Sequence, residues 1–313
     1  MRLDDLPESG NVEDRRGEGG GFGGGGIGGL PIGGGGLGIG AIVVLGLIGW
    51  AFGIDPSLLI GGAEMVNRER PSVNEPARPR QTGTPQDEMG RFVARVLGST
   101  EAQWKDIFAK QNATYRPPTL VMYSGTTQAA CGGVAQSAMG PFYCPSDQKV
   151  YLDTSFFSQI ATRFGGCDVG SKACQFAQAY VIAHEIGHHV QQLLGILTRA
   201  HSAQQASGDR AEANRIQVRV ELQADCFAGV WAKHENDREV SQGKPPFIEP
   251  GDVETALRTA AAIGDDTLQR RAQGRVVPDS FTHGTSEQRQ RWFRTGLTNG
   301  TVASCNTFAA TQL

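Results

Sequence analysis

The segment VIAHEIGHHV, residues 181–190, places three histidines and one glutamate in an otherwise apolar stretch. It contains the pattern H-E-x-x-H, from His184 to His188. On an α-helix these two histidines lie one turn apart, so both imidazoles project from the same face. Two neutral ring nitrogens can then bind one Zn²⁺, and Glu185 can reach a metal-bound water. His189 projects from another face and is not expected to be a ligand.

A catalytic zinc needs a third protein ligand and one open coordination position. The segment VELQADCFAG, residues 220–229, carries two carboxylates one turn apart, Glu221 and Asp225. We expect Glu221 to be the third ligand and Asp225 to accept the free N–H of a ligand histidine, which fixes its tautomer. The alternatives are a solvated helix face for the carboxylates and a structural cluster for the histidines. The apolar residues around both motifs argue against these alternatives.

Glycine is concentrated near the N-terminus. Many of the 43 glycines fall within residues 17–40, which cannot bury enough side chain to fold alone. Residues 37–54 carry no charge, which predicts a transmembrane helix with Trp50 and Phe52 near its end. A buried core helix and a cleaved signal peptide are the alternatives. The glycine content disfavours the first, and the long acidic segment before the apolar run disfavours the second.

These features divide the chain into four parts. We predict a disordered Gly-rich tail at residues 1–29, a transmembrane anchor at 30–54, a Pro-rich polar linker at 55–83 and a folded domain at 84–313. The domain should begin with a helix capped by Thr84 and followed by a proline. The net charge of −3, without a Lys/Arg-rich block, predicts no nucleic-acid partner. The oligomeric state is left open.

Periodicity predicts a mostly helical α+β domain. Its first helix begins near residue 85 and a second covers about 100–111. The runs TLVMYSG and PFYCPSDQKVYLD are rich in β-branched and aromatic residues, and they predict a small antiparallel sheet ahead of the H-E-x-x-H helix. Further helices are predicted at about 172–197, 209–234, 249–263 and 286–296.

All six cysteines follow the predicted anchor: Cys131, Cys144, Cys167, Cys174, Cys226 and Cys305. Cys167 and Cys174 are close enough to close one loop, Cys131 and Cys144 could clasp a hairpin, and neither pair has C-x-x-C spacing. Three disulfides in an oxidising compartment are expected, with six buried thiols as the alternative. The basic residues flanking the apolar run are nearly balanced. Cysteine usage therefore orients the chain, with the N-terminus inside and the domain outside.

HEIGH followed by ELQAD is similar to the gluzincin arrangement of zinc metallopeptidases. More closely, the chain resembles a bacterial family of neutral zinc metallopeptidases over nearly its whole length. The likeness lies in the Gly-rich tail, the single anchor and the segments GPFYCPSDQKVYLD, AHEIGHHVQ, ELQADCFAGVW and DSFTHGTSEQRQRWF. The resemblance implies a hydrolase anchored in the bacterial inner membrane, with a periplasmic domain whose metal ligands are His184, His188 and Glu221. It does not supply a substrate.

The last of these segments contains His283, just before a predicted helix. In gluzincins with an E-x-x-A-D motif, a T-H-P segment followed by an arginine closes one wall of the cleft. Here Gly284 replaces the proline, and Arg289 or Arg291 is the candidate arginine. Peptide-bond hydrolysis generates an oxyanion, which His283 or the arginine could stabilise. The alternative for His283 is a structural hydrogen bond in a loop.

Together the motifs predict a membrane-anchored zinc endopeptidase with one Zn²⁺ per chain, acting on peptides or unfolded protein. Glu185 is expected to be the general base toward a metal-activated water. The GPFYCPSDQKVYLD segment is either a sheet edge to which a peptide adds as a strand or a core hairpin. Two other functions remain, a metal-stabilised, membrane-tethered binding or scaffold protein and a hydrolase of a non-peptide amide. The intact Glu185 argues against the scaffold, because a structural zinc site has no use for a base.

Overall fold

The computed structural model describes residues 1–17 and 81–313, apart from Asp4, Thr84, Gly132, Val169 and Gly170. The predicted anchor at 30–54 and the neighbouring residues of the predicted tail and linker lie outside the described residues. Within the described ranges, no helix has the length and apolar character needed to cross a membrane.

Eight α-helices make up most of the described domain. They are α1 (Glu88–Ala109), α2 (Ser155–Thr162), α3 (Lys172–Leu193), α4 (Ile196–Ala206), α5 (Arg210–Ser241), α6 (Asp252–Ala262), α7 (Asp265–Gln273) and α8 (Ser286–Asn299). The mostly helical α+β class is confirmed. The two helices predicted at the start of the domain are one helix, α1, capped by Asp87, whose side chain accepts the Gly90 N–H at 3.0 Å.

The described residues also form seven short strands. They are β1 (Val12–Asp14), β2 (Gln81–Thr82), β3 (Thr119–Tyr123), β4 (Thr126–Ala129), β5 (Gly133–Gln136), β6 (Phe142–Cys144) and β7 (Lys149–Asp153). The main sheet has the order β2-β1-β3-β7-β6, while β4 and β5 form a separate hairpin.

The prediction of an antiparallel sheet is wrong for the centre of the main sheet. β3 pairs in parallel with both β1 and β7, and only the outer pairs β1–β2 and β6–β7 are antiparallel. Parallel neighbours need a long connection, and the β4–β5 hairpin together with β6 supplies one between β3 and β7. Residue composition indicates a strand but not its direction, so this pairing could not be predicted from the runs alone.

Residues 1–17 belong to the folded domain, so the prediction of a disordered tail is wrong for them. Val12 is buried in the sheet, and the buried Glu13 carboxylate binds Arg15 at 2.9 Å and Lys149 at 2.8 Å. The glycine-rich composition begins only at residue 17, and the segment before it has enough apolar and charged side chains to pack and pair.

The pairing of β1 with β2 also bears on the predicted membrane topology. Glu13 lies opposite Thr82, and Val12 lies opposite Leu120, so β1 sits between two strands of the domain. Strands that share one sheet lie on one side of any membrane. This pairing does not fit the predicted arrangement, in which a single crossing separates the N-terminus from the domain.

Helix α5 packs at backbone contact between α3 and α8. A Cβ added to Gly187 of α3 would lie 3.0 Å from the Ala224 Cα of α5, and one added to Gly296 of α8 would lie 1.9 Å from the Cys226 carbonyl oxygen. A Cβ on Gly229 would likewise meet the α8 backbone at 2.2 Å. The small residues Gly187 and Ala224 let α3 and α5 approach closely, and this explains how the two helices bring polar side chains together.

Three disulfides pair all six cysteines: Cys131 with Cys144, Cys167 with Cys174, and Cys226 with Cys305. The first two are the pairs expected from their spacing. The first ties the β4–β5 turn to β6, and the second closes the loop before α3. The third fastens the C-terminal segment to α5, directly beside the carboxylates of that helix.

Candidate metal centre

His184 and His188 of α3 and Glu221 of α5 meet at one point. The Glu221 Oε2 lies 3.2 Å from the His184 Nε2 and 3.5 Å from the His188 Nε2. The three candidate ligand atoms lie within 4.8 Å of one another. Ligands at about 2.0–2.1 Å from a tetrahedral zinc lie roughly 3.4 Å apart. Two imidazole nitrogens and one carboxylate oxygen at this spacing fit a zinc ion.

Both histidines are held in the tautomer that zinc requires. The His184 Nδ1–H donates to Asp225 Oδ1 at 2.8 Å, and the His188 Nδ1–H donates to Gln191 Oε1 at 2.8 Å. Each Nε2 points toward Glu221 and is the nitrogen left to bind a metal once its proton is displaced. Such partners behind the ligands fix the ring orientation and increase ligand basicity.

Asp225 lies where the sequence predicts it, and its own surroundings hold it charged. The Arg289 Nε and Nη2 donate to its two oxygens at 2.8 and 2.9 Å, and the Tyr180 hydroxyl donates to Oδ1. Burial opposes the charge on Asp225, but Arg289 and His184 bring its pKa well below the ordinary value. The carboxylate thus remains an acceptor for His184 at all ordinary pH values.

Without metal, the ligand set holds protons tightly. Burial works against a charged His184, yet Asp225 and Glu221 raise its pKa to about 10. Burial likewise opposes the charge on Glu221, but the His188 charge and hydrogen bonds from both histidines bring its pKa well below the ordinary value. A metal that takes the Nε2 positions must therefore displace protons, so metal binding at neutral pH releases protons.

Glu185 lies beside the ligands without belonging to them. Its side chain is buried and makes no hydrogen bond to any other described residue. Burial raises its pKa, and His184 and His188 only partly offset this effect. A buried carboxylate with a raised pKa is suited to accept and return a proton near neutral pH.

His283 is held next to this centre by Asp265 of α7. The buried Asp265 Oδ2 accepts the backbone N–H groups of Thr282, His283 and Gly284 at 2.7, 2.6 and 3.0 Å. The His283 side chain is 46% exposed, with Nδ1 3.3 Å from Asp265 Oδ1. Its pKa is raised, because Asp265 and Glu221 outweigh its partial burial. The ring therefore lies within the electrostatic reach of a ligand.

The two candidate arginines have different positions. Arg289 is buried, and its guanidinium binds Asp225 and the Tyr180 hydroxyl. Arg291 lies on the exposed face of α8 and donates to the Leu313 carbonyl at 2.9 Å. Arg289 thus supports a ligand histidine through Asp225, and Arg291 lies away from the centre.

His189 lies on another face of α3. Its Nε2–H donates to the Arg116 carbonyl at 2.6 Å, and its Nδ1 accepts the Tyr143 hydroxyl at 3.0 Å. It is fully buried, and burial lowers its pKa. The two ring nitrogens thus join α3 to β6 and to the segment before β3.

Three residues of the site are absent from the sequence-based assignment: Tyr180, Gln191 and Asp265. Tyr180 and Gln191 stand four residues before His184 and three after His188, so helical spacing placed them on the ligand face. Asp265 carries no such signal, because its role depends on a loop contact that only the fold creates.

Comparison with known proteins agrees with this geometry. The sequence profile of the family described as “Putative neutral zinc metallopeptidase” matches residues 1–308. The uncharacterized protein YpfJ of Escherichia coli (strain K12) is 46% identical over 309 residues, covering 98% of this chain and 99% of the relative. The uncharacterized protein Rv2575 of Mycobacterium tuberculosis is 38% identical over 268 residues, covering 83% of this chain and 85% of the relative. No solved structure matches. The chain therefore belongs to this neutral zinc metallopeptidase family.

Proposed function

We propose that the protein is a zinc-dependent endopeptidase. One observation carries this proposal: a two-histidine, one-glutamate ligand set with the buried Glu185 carboxylate beside it. Three protein ligands leave a fourth position for substrate or water, as in catalytic zinc sites. A structural site closes that position and has no use for an adjacent base, so the arrangement favours an enzyme over a scaffold.

We assign each residue of the centre a separate role in hydrolysis. A zinc ion held by His184, His188 and Glu221 would act as a Lewis acid toward the scissile carbonyl. Glu185 takes a proton from the attacking water and delivers it to the leaving amine. His283, whose charge interacts with that of Glu221, is the candidate hydrogen-bond donor to the oxyanion that forms.

The edge of the main sheet offers a place for an extended substrate. β6 lies at one edge of the described sheet, and the Tyr143–His189 hydrogen bond joins it to the ligand-bearing helix α3. The Cys131–Cys144 disulfide holds β6 to the neighbouring hairpin. A peptide can add to such an edge as a further strand, which requires an extended backbone. We therefore propose peptides and unfolded protein as the substrate class.

Replacement of the base tests this function. Glu185→Gln should keep one zinc per chain and cleave an unfolded protein with a kcat about 10²–10⁴-fold lower, because the proton acceptor is lost. Zinc content by atomic absorption and cleavage by gel assay give both readouts. Glu212→Gln, the same substitution at an exposed position of α5, is the matched control and should retain both.

Other outcomes of these assays would support a different role for Glu185 or a different function for the protein. A Glu185→Gln variant as active as the parent removes the base assignment. A zinc-loaded parent that ignores peptides but cleaves a non-peptide amide, such as cell-wall material, supports the alternative hydrolase. A zinc-loaded parent without any hydrolytic activity supports the binding or scaffold protein.

We also propose that the domain works on the extracytoplasmic side of the bacterial inner membrane, with residues 1–17 on that same side. Three disulfides favour an oxidising compartment, and the β1–β2 pairing favours one side for both segments. Gly10→Cys and Ser202→Cys, both at exposed positions, should react with a membrane-impermeant thiol reagent in intact spheroplasts. Labelling of only one site contradicts the shared side, and labelling of neither contradicts the compartment.

A further inference from the structure

The supports of both ligand histidines lead to the Cys226–Cys305 disulfide. His184 is held by Asp225, which directly precedes Cys226 in α5. His188 is held by Gln191, and a second buried amide continues from Gln191 to the Cys305 carbonyl. The hydrogen bonds of Gln223 to Gln191 and to Cys305 have no role in the metal centre as described so far.

The connection from Cys305 through Gln223 and Gln191 to His188 is a series of hydrogen bonds with a defined donor-to-acceptor direction. The Gln223 Nε2–H donates to the Cys305 carbonyl at 2.9 Å, and its Oε1 accepts the Gln191 Nε2–H at 3.0 Å. The Gln191 Nε2 also donates to the Val220 carbonyl at 2.8 Å, and its Oε1 accepts the His188 Nδ1–H at 2.8 Å. Gln191 and Gln223 are 0% and 4% exposed, so water cannot replace these partners.

The direction of the chain follows from its last acceptor. A carbonyl only accepts, so the Gln223 amide nitrogen must face Cys305 and its oxygen must face Gln191. The Gln191 nitrogen must then face Gln223, and its oxygen must face His188. An oxygen at that point requires the proton on His188 Nδ1, which leaves Nε2 for zinc. The Val220 carbonyl orients Gln191 directly, and the Cys305 carbonyl orients it through Gln223. Together these two carbonyls set the tautomer of a ligand on another helix.

The disulfide holds this carbonyl in place. Gln223 and Cys226 are three residues apart on α5, so they share a face, and the disulfide fastens Cys305 against it. A second attachment follows, where the Thr307 hydroxyl donates to the Arg219 carbonyl at 2.7 Å. Without the disulfide, the segment that carries the last acceptor would depend on hydrogen bonds and packing, with no covalent link to α5.

We propose that Gln191 and Gln223 are positioning residues for the zinc ligand His188, and that the Cys226–Cys305 disulfide fixes the carbonyl that orients Gln223 and, through it, supports Gln191. Tight zinc binding then depends on this disulfide. The inference rests on the zinc centre of the proposed function and is independent of the reaction that the centre catalyses.

The amide variants test the chain of hydrogen bonds directly. Gln191→Leu and Gln223→Leu keep most of the side-chain volume but remove the hydrogen bonds, and each should weaken zinc binding about 10–100-fold. Gln191→Glu retains an acceptor for the His188 Nδ1–H and should bind zinc more tightly than Gln191→Leu. Zinc affinity is measured on the full chain by competition with a chelator, and thermal unfolding of the metal-free protein checks the fold.

Disulfide removal tests the anchor, with a matched control. The pair Cys226→Ala/Cys305→Ala should lose at least about tenfold in zinc affinity, whereas Cys131→Ala/Cys144→Ala should bind zinc like the parent. If the first pair fails to fold, Gln223→Leu still tests the path, because it leaves the disulfide intact.

The outcomes separate this inference from the proposed function. Parental zinc affinity in folded Gln191→Leu and Gln223→Leu overturns the positioning role. Equal losses for the two cysteine pairs would show only a general loss of stability, and this also overturns it. A parent chain that binds no zinc overturns the metal centre itself, and the inference with it. A parent that binds zinc without cleaving peptides affects only the proposed function.

Discussion

His283 is the histidine near the centre that lies outside the ligand set, and its backbone is fastened by Asp265. If it donates to the oxyanion, His283→Ala should lower kcat roughly 10²-fold at unchanged zinc content, because the donor acts only in the transition state. His201→Ala, on the exposed surface of α4, is the matched control and should leave kcat at the parental value. A fully active His283→Ala variant would show that His283 does not stabilise the oxyanion and has only a structural role in its loop.

At the same scale, the residues of the candidate metal centre could be found from the sequence, and most of the residues that support them could not. Helical spacing in apolar surroundings marks His184, His188, Glu221 and Asp225. Burying a charged side chain there is costly unless it has a partner or binds a metal. Gln191 has similar spacing, but glutamine is common on solvent-exposed helix faces. Its position in the sequence therefore does not predict that its side chain is buried. The role of such an amide depends on the packing of a neighbouring helix and on the C-terminal segment.

Among the elements, the contact between α5 and α8 is the tightest. Gly296→Ala adds a Cβ 1.9 Å from the Cys226 carbonyl oxygen, and both helix backbones resist movement. Alanine favours a helix over glycine by about 1 kcal/mol, but overpacking costs about 1–3 kcal/mol or more, so we expect net destabilisation. Urea unfolding measures the difference, and Thr298→Ala on the exposed face of α8 should change stability by less than about 0.5 kcal/mol. A more stable Gly296→Ala would contradict the close contact.

The elements themselves were predicted unevenly. The long helices α3 and α5 were found because their apolar positions and caps agree over several turns. α2 and α7 were missed, because eight or nine residues give too few turns for a clear period. Strand positions in β3, β6 and β7 followed from composition, whereas the parallel pairing of β3 with β7 depends on how the chain returns between them.

At the scale of the whole molecule, Glu13 joins the N-terminal segment to the sheet. Burial opposes its charge, yet Arg15 and Lys149 lower its pKa from the ordinary 4.5 to about 2. Because this pKa is depressed on folding, the stabilisation is present above pH 4.5 and is lost as the pH falls toward 2. Glu13→Gln should lower the free energy of unfolding at pH 7 by on the order of 2 kcal/mol, and the deficit should shrink across that window.

Urea unfolding of parent and variant between pH 2 and pH 7 measures this deficit. Glu212→Gln breaks only an exposed ion pair with Arg215 and should cost less than about 1 kcal/mol at any pH. A deficit for Glu13→Gln that is constant over the whole range would show that the carboxylate charge does not hold β1.

The place of β1 in the sheet could not be predicted from the sequence. Residues 12–14 pair with residues 119–123, far along the sequence, and no local pattern links two such short segments. Composition separated the glycine-rich and apolar stretch from the domain after it. It could not show that the residues before that stretch return to the same sheet, because pairing across such a distance is a property of the folded state.

The central claim is that α3 and α5 hold one zinc between two imidazoles and one carboxylate. A crystal structure of the zinc-loaded protein, with anomalous data at the zinc edge, tests it most directly. We expect a single anomalous peak about 2.0–2.2 Å from the Nε2 atoms of His184 and His188 and a Glu221 oxygen. A peak at other side chains, or a zinc bound without Glu221, would contradict the account.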